Sequence, residues 1–234
     1  MLAVFKRDLR AYFTSPIGFV FIAVFLVIAN LFFYMYNIMS QSSDLTSLFA
    51  NLLFISSFLL PILTMRLLSE ELRQKTDQLL LTAPVSIGKV VVGKYLSCLA
   101  VFVIALILTL TWPLVVAMYG HPALYTIIGN YAAYFFAVAA FIAIGLFISA
   151  MTESQIVAAI ITYAVYFGLY FLNMLTTSIE NNVLRTVMKW VNVFSRYNHF
   201  SVGLFQLDDI VYYISLIVIF LFLTDRVLER KRWA

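Results

Sequence analysis

Apolar residues run along this chain in long, nearly unbroken stretches, separated by short polar segments. The stretches fall at Ile17 to Tyr36, Leu48 to Leu68, Tyr95 to Met118 (interrupted by Pro113), Ile127 to Ala150, Gln155 to Leu175 and Ile210 to Thr224. None alternates polar and apolar in the way a membrane β-strand must. Each of the first five has the roughly 20 residues that a helix needs to cross a hydrocarbon core about 30 Å thick. The sixth is short, unless its helix begins earlier or tilts little. Lipid leaves backbone polar groups no external partner, so helices are the structure this pattern predicts. The expectation is an all-α integral membrane protein with six transmembrane helices over residues 16–234.

Composition makes that reading firm. The chain of 234 residues is 64% hydrophobic and 11% charged, where soluble domains carry about 25% charged residues. The cations also orient it. Lys6, Arg7, Arg10, Arg66, Arg73, Lys75, Lys89, Lys94, Arg226, Arg230, Lys231 and Arg232 fall on one side of a six-span topology, against Arg185, Lys189 and Arg196 on the other. Cytoplasmic loops retain Lys and Arg, so both termini are expected in the cytoplasm of a bacterial inner membrane. The excess positive charge is thus a topology signal. No solvated basic domain exists to bind nucleic acid. A signal peptide cleaved after Val27-Ile28-Ala29 is the rival for the first span. The apolar run continues through Leu31-Phe32-Phe33-Tyr34 and favours an uncleaved helix. The single cysteine, Cys98, lies within the third span and excludes an intrachain disulfide.

Three connecting segments carry structure of their own. In residues 1–15, Leu2, Phe5, Leu9, Tyr12 and Phe13 recur at helical spacing opposite Lys6, Arg7 and Arg10. This pattern suits an interfacial amphipathic helix, its cations near lipid headgroups; a plain flank of the first span is the alternative. Ser15-Pro16 reads as a stop and restart. In residues 66–94, Ser69 with Glu70 and Glu71 marks a helix start. Leu72, Leu79, Leu80 and Leu81 supply apolar surface, Pro84 ends the helix, and Ser86 caps the next one. Such a helix suits docking of a cytoplasmic partner; an ordinary solvated loop is the alternative. In residues 176–208, Val183, Leu184, Val187, Met188 and Val191 repeat at helical spacing, as in an interfacial or re-entrant helix.

Catalytic chemistry finds no home here. Gly88-Lys89-Val90-Val91-Val92-Gly93-Lys94-Tyr95 nearly spells a phosphate-binding loop, but ends in Tyr where magnesium needs a Ser or Thr hydroxyl, and runs straight into a membrane helix. His121 and His199 are far apart and form no metal motif. Asp208-Asp209 reads as the charged flank of the sixth span, because sequence neighbours diverge on a helix. Within the spans, Ser56, Ser57, Thr162, Tyr163, Tyr166, Tyr170 and Asn173 are polar; Tyr163, Tyr166 and Tyr170 recur on one face. Helix packing explains such residues, and so does a path for cargo. No charge falls at mid-membrane, which argues against a proton relay.

The string Glu70-Glu71, Thr76, Leu80-Leu81, Pro84-Val85-Ser86 and Gly93-Lys94 resembles the cytoplasmic signature of ABC-2 type permeases. His199-Phe200, Gly203, Asp209, Tyr212-Tyr213, Leu221-Phe222-Leu223-Thr224 and Leu228-Glu229-Arg230-Lys231-Arg232-Trp233 resemble the permease subunit of gliding-motility-associated ABC transporters and their relatives in non-gliding bacteria. Gln206 and Val202 depart from that pattern, where close relatives would carry an acid and a base. The resemblance implies a type V exporter-like fold, paired as a homo- or heterodimer with a second permease chain. It implies separate ABC ATPase subunits, which hold the ATP and magnesium; this chain carries no cofactor. A periplasmic auxiliary protein has room in such an assembly. Glu70, Glu71, Arg73, Thr76, Leu80 and Pro84 would form the coupling helix, with Glu153 in a second contact. Ser56, Ser57, Tyr163, Tyr166, Tyr170 and Asn173 would face the dimer axis. Function is then export of an amphipathic or lipid-like cargo, or else non-transporting mechanotransmission to an extracytoplasmic partner.

Overall fold

The computed structural model describes residues 1–75, 86–120, 123–176, 192–194, 196–197 and 207–233. Among them the chain is helical throughout: α1 (Leu2–Thr14), α2 (Pro16–Phe33, prolonged by a π-helical turn Tyr34–Ile38), α3 (Thr46–Thr64), α4 (Arg66–Gln74), α5 (Ile87–Leu108), α6 (Thr111–Tyr119), α7 (Leu124–Met151), α8 (Gln155–Thr176) and α9 (Leu207–Trp233). Six continuous or near-continuous lengths are long and apolar enough to cross a membrane: Pro16–Ile38, Thr46–Gln74, Ile87–Met118, Leu124–Met151, Gln155–Thr176 and Asp208–Lys231. They correspond to the six apolar runs. The sixth starts earlier and runs further than its apolar core, which accounts for its apparent shortness.

Breaks in these lengths have local causes. Pro61 removes one ladder bond from α3, and the helix breaks at Met65 before continuing as α4. The third span breaks at Thr109–Leu110, ahead of Pro113, which sits in the first turn of α6 where its missing N–H is harmless. A proline ring crowds the carbonyl four residues back. That carbonyl is Thr109 O, and it accepts from Tyr131 Oη at 2.7 Å. In the turn between α2 and α3, Asn37 Nδ2 donates to Ser42 O and Asp44 O (2.9 and 3.0 Å). Asp44 Oδ1 then accepts from the Thr46 amide at 2.9 Å, which starts α3.

The bundle is organised around α7. Within its apolar window 78% is buried, against 11% in α9 and 17% in α8. The sequence permits this because Ala133, Ala137, Ala139, Ala140 and Ala143 keep α7 slim, and small residues let apolar helices approach closely. Gly145 takes this furthest. A Cβ built there would lie 2.4 Å from Thr64 Oγ1 and 2.8 Å from Thr64 Cβ. Helix α7 therefore meets the end of α3 backbone-first, immediately beside the Met65 break.

Both chain ends lie at one end of the bundle. Lys231 Nζ of α9 donates to Ala150 O at the C-terminus of α7 at 2.9 Å, a favourable place for a cation on the helix dipole. Helix α1 reaches the same end, where Tyr12 Oη donates to Leu63 O at 3.0 Å. Its apolar stripe is divided: Leu9, Tyr12 and Phe13 pack on the bundle, while Leu2 remains exposed.

Gly145→Leu is expected to lower unfolding stability by about 1–3 kcal/mol or more, because Thr64 has no room to yield. Gly168→Leu is the control, since nothing lies within 4 Å of a Cβ there. Thermal unfolding of the two purified variants in detergent should separate them; equal midpoints would contradict the packing described.

Candidate functional site

Helix α4 has an amphipathic sequence, RLLSEELRQ, and it buries Leu67, Leu68, Ser69 and Leu72. It starts at Arg66, three residues before the Ser69 start expected from sequence. Ser69 instead lies inside the helix and bonds back to Met65 O. The starting amides are capped from another helix. Ser149 Oγ of α7 accepts from Leu68 N and Ser69 N, both at 3.0 Å, and donates to Met65 O at 3.0 Å. One hydroxyl thus satisfies both sides of the break and pins α4 to α7. The helix ends at Gln74, not at Pro84 as expected from sequence, because Lys75 adopts a left-handed conformation, φ 55°, that interrupts it.

The polar face of α4 meets α1 and the base of α5. Gly93 makes room: a Cβ there would lie 3.2 Å from Met1 O and from Val4 Cβ. The next residue, Lys94, is buried, its side chain 3% exposed. Its Nζ donates to Asp8 Oδ2 (3.1 Å), Glu71 Oε1 (2.9 Å) and Leu67 O (2.9 Å). An ammonium has three donors, and all three are used. Arg7 completes the circuit, with Nε on Asp8 Oδ1 and Nη2 on Glu71 Oε1, both at 2.7 Å. Burial pulls the Arg7 guanidinium down, but Asp8 and Glu71 outweigh it and hold its pKa above the usual value. Two cations and two carboxylates from three helices form a charge-balanced cluster, the arrangement a buried ion pair needs.

Beyond this cluster, Arg66 and Glu70 pair along α4, joined by Gln74 Nε2 at 3.4 Å from Glu70 Oε1. Arg73, Gln74 and Lys75 are exposed at the tip. Glu71, by contrast, turns inward. Thr76, Leu80 and Pro84 lie outside the described residues. Glu153 is exposed in the α7–α8 turn at the same end, between Thr152 and Ser154, whose hydroxyls cap the turn. The sequence Gly88 to Tyr95 lies wholly within α5, so its amides are spent on a helix ladder rather than a phosphate cradle.

The residues named for a path lie on α3 and α8. Ser56 Oγ bonds Tyr134 Oη at 2.5 Å, Ser57 bonds its own helix at Phe54 O, and Tyr166 Oη donates to Phe141 O; all three are buried. Tyr163 is half-buried and donates to Phe58 O at 2.9 Å. Asn173 Oδ1 accepts from Asn192 Nδ2 at 3.1 Å. Tyr170 is exposed and packs on Phe54, centroids 4.8 Å apart. Phe54, Phe58 and Phe167 join them in a ladder of rings between α3 and α8, with Phe58 and Phe167 4.7 Å apart. Those phenylalanines went unnoticed in the sequence, although Phe54 and Phe58 at i, i+4 mark a shared face. Asp8 and Ser149 were missed too. A lone serine near the end of an apolar run carries no signal of its partners.

At the opposite end, Asp209 is fully buried and accepts from Arg196 Nη1 at 2.9 Å, while Asp208 is exposed. The two carboxylates diverge, as helix geometry requires. Most of the segment 176–208 lies outside the described residues.

The fold is that of a multi-pass helical membrane protein, with a charged cluster of α1, α4 and α5 side chains at one end of its transmembrane bundle. A family model described as an ABC-2 family transporter protein matches residues 2–233. The chain belongs to the ABC-2 transporter family, whose permeases are non-catalytic transport subunits and generally pair with a separate ABC ATPase. No curated protein matches it.

Lys94→Met is expected to cost about 3–5 kcal/mol by removing the buried cation and leaving Asp8 and Glu71 to share Arg7 alone. Combined with Glu71→Gln, the loss should fall short of the sum of the single losses by about 0.5–3 kcal/mol. Denaturant unfolding in detergent completes the cycle, and strict additivity would show that the pair does not interact.

Proposed function

We propose that the chain is the membrane-spanning permease subunit of an ABC-2 type exporter, driven by ATP hydrolysis on a separate subunit docked at the α1/α4 end. The observation that carries this reading is the mounting of α4. Lys94 and Arg7 tie it to α5 and α1, and Ser149 ties it to the central helix α7. A short helix so fixed acts as a lever: a push on its exposed tip reaches the innermost helix without loss in a flexible joint. Arg73, Gln74 and Lys75 supply the contact surface, with Glu70 beside them and Glu153 in the neighbouring turn. Glu71 serves the platform's own cohesion and positions the lever. The surplus of cations at this end supports its being the cytoplasmic side.

Cargo would meet the α3/α8 face. There Phe58 and Tyr170 are 41% and 39% exposed. An amphipathic or lipid-like molecule suits such a surface, enclosed when two permease chains pair through α3 and α8. The sequence motifs shared with gliding-associated permeases are in keeping with a homo- or heterodimer of this kind in a bacterial inner membrane.

Arg73→Glu tests the lever where folding is not at stake, because Arg73 is exposed. With the ATPase co-expressed, its association is expected to weaken by about 2 kcal/mol, roughly thirtyfold. Membrane insertion should be unchanged. Association and substrate-stimulated ATP hydrolysis at the unaltered level would remove the coupling assignment.

A further inference from the structure

Two hollows adjoin at the foot of α2. The first is a cavity of about 440 Å³ between α1 and α4, lined by Arg7, Asp8, Arg66, Glu70, Glu71 and Lys94 among others. The second is a groove of about 180 Å³ between α2 and α3, whose lining, including Ile17, Val20, Val24, Leu59 and Ile62, is wholly apolar. They share a boundary. Ser15 of the cavity precedes Pro16 of the groove, and Leu67 of the cavity is one turn beyond Leu63 of the groove. The Tyr12 hydroxyl donates to Leu63 O at that junction. From Pro16 to Val24 the groove follows its helix for about 12 Å, at 1.5 Å per residue. A charged chamber thus lies end to end with an apolar slot along the first membrane span, with Tyr12 at the junction.

We propose that the two hollows form one phospholipid site, taking a zwitterionic headgroup that carries a phosphate and a primary amine in the cavity, with an acyl chain in the groove. Shape gives the class of ligand: polar at one end, apolar at the other, with the transition where α1 meets the first membrane span. Charge gives the headgroup. The lining holds three cations and three carboxylates, so a purely anionic headgroup gains no net attraction. Lys94 is fully committed to its partners. Arg7 and Arg66 are the open cations, their side chains 50% and 33% exposed, and Arg66 spends two of its five N–H donors on Glu70. Guanidinium groups suit a phosphate. Glu70 and Asp8 are then placed to accept from an ammonium, which a quaternary amine cannot offer as a donor. Such a lipid would bridge α1 and α4 from the membrane side, complementing Lys94 on the protein side. The proposal is independent of cargo and of the direction of transport.

The full-length chain, in the complex with which it purifies, is stripped of lipid in detergent. It is then offered phosphatidylethanolamine, phosphatidylcholine and phosphatidylglycerol of identical acyl chains, and retained lipid is counted by native mass spectrometry. The ethanolamine lipid should be retained at least about tenfold over the other two, a 1.4 kcal/mol preference. Arg66→Gln should abolish that preference. Val20→Trp fills the groove without touching the chamber and should lower retention of the ethanolamine lipid about tenfold; Ile62→Trp fills it from the other wall if the first variant does not fold. Equal retention of the three lipids overturns the proposal, as does preference for the glycerol lipid. Wild-type retention in the groove variants, or crosslinking of Val20 to a second copy of the chain, would do so as well.

Discussion

The Lys94 ammonium is the interaction on which the charged end of this protein depends. It sits near the base of a largely apolar helix, is almost wholly buried, and has a partner for each of its three protons, drawn from α1, from the α4 side chain Glu71 and from the α4 backbone. A buried ammonium with any one of these missing would be costly. The requirement runs both ways. Asp8 and Glu71 are held away from bulk water and need their cations, so α1, α4 and α5 keep one mutual geometry or lose the cluster altogether. Gly93 is what lets α1 come near enough for Asp8 to reach.

Around that corner the rest of the bundle is closely packed. The small residues of α7 allow it to be enclosed by its neighbours, and Gly145 brings it against Thr64 just where α3 breaks. Ser149, one turn further on, closes the break by serving as acceptor to two amides and donor to one carbonyl. Helix α4 therefore continues α3 in sequence but is bound to α7 in space. Helix α4 is thus attached to the bundle twice, through the α3 backbone that precedes it and through Ser149 of α7. Helices α2, α8 and α9, with far less of their apolar windows buried, are the ones that present surface outward. The adjoining charged cavity and apolar groove place a lipid molecule beside the same corner.

Much of this was legible from the sequence, for physical reasons that differ by element. Spans were readable because lipid penalises every unpaired backbone group, so length and hydropathy alone specify six helices. The tilt of charge toward one side was readable because it depends only on loop composition. The family signature in residues 66–94 pointed to α4. The inward turn of Glu71 was not readable. Glu70 and Glu71 are adjacent and chemically equivalent, and only packing on α1 and α5 decides that the first faces outward along α4 and the second toward Lys94. The helix start at Arg66 was likewise hidden, because its cap comes from Ser149, distant in sequence. Ser56 and Tyr166 show the same limit: their polarity was visible, but not the hydrogen bonds to Tyr134 and Phe141 that occupy them.

The central claim is that α1 and α4 form one rigid body. It is tested most directly by a distance between them across the ATPase cycle. With Cys98 replaced by alanine, spin labels at the exposed positions Arg10 and Gln74 report the α1–α4 separation by pulsed electron resonance in lipid. The account predicts a single narrow distribution, unchanged between nucleotide-free and nucleotide-trapped complexes. A broad distribution, or one that shifts when nucleotide is trapped, would show that α4 moves independently of α1 and would contradict it.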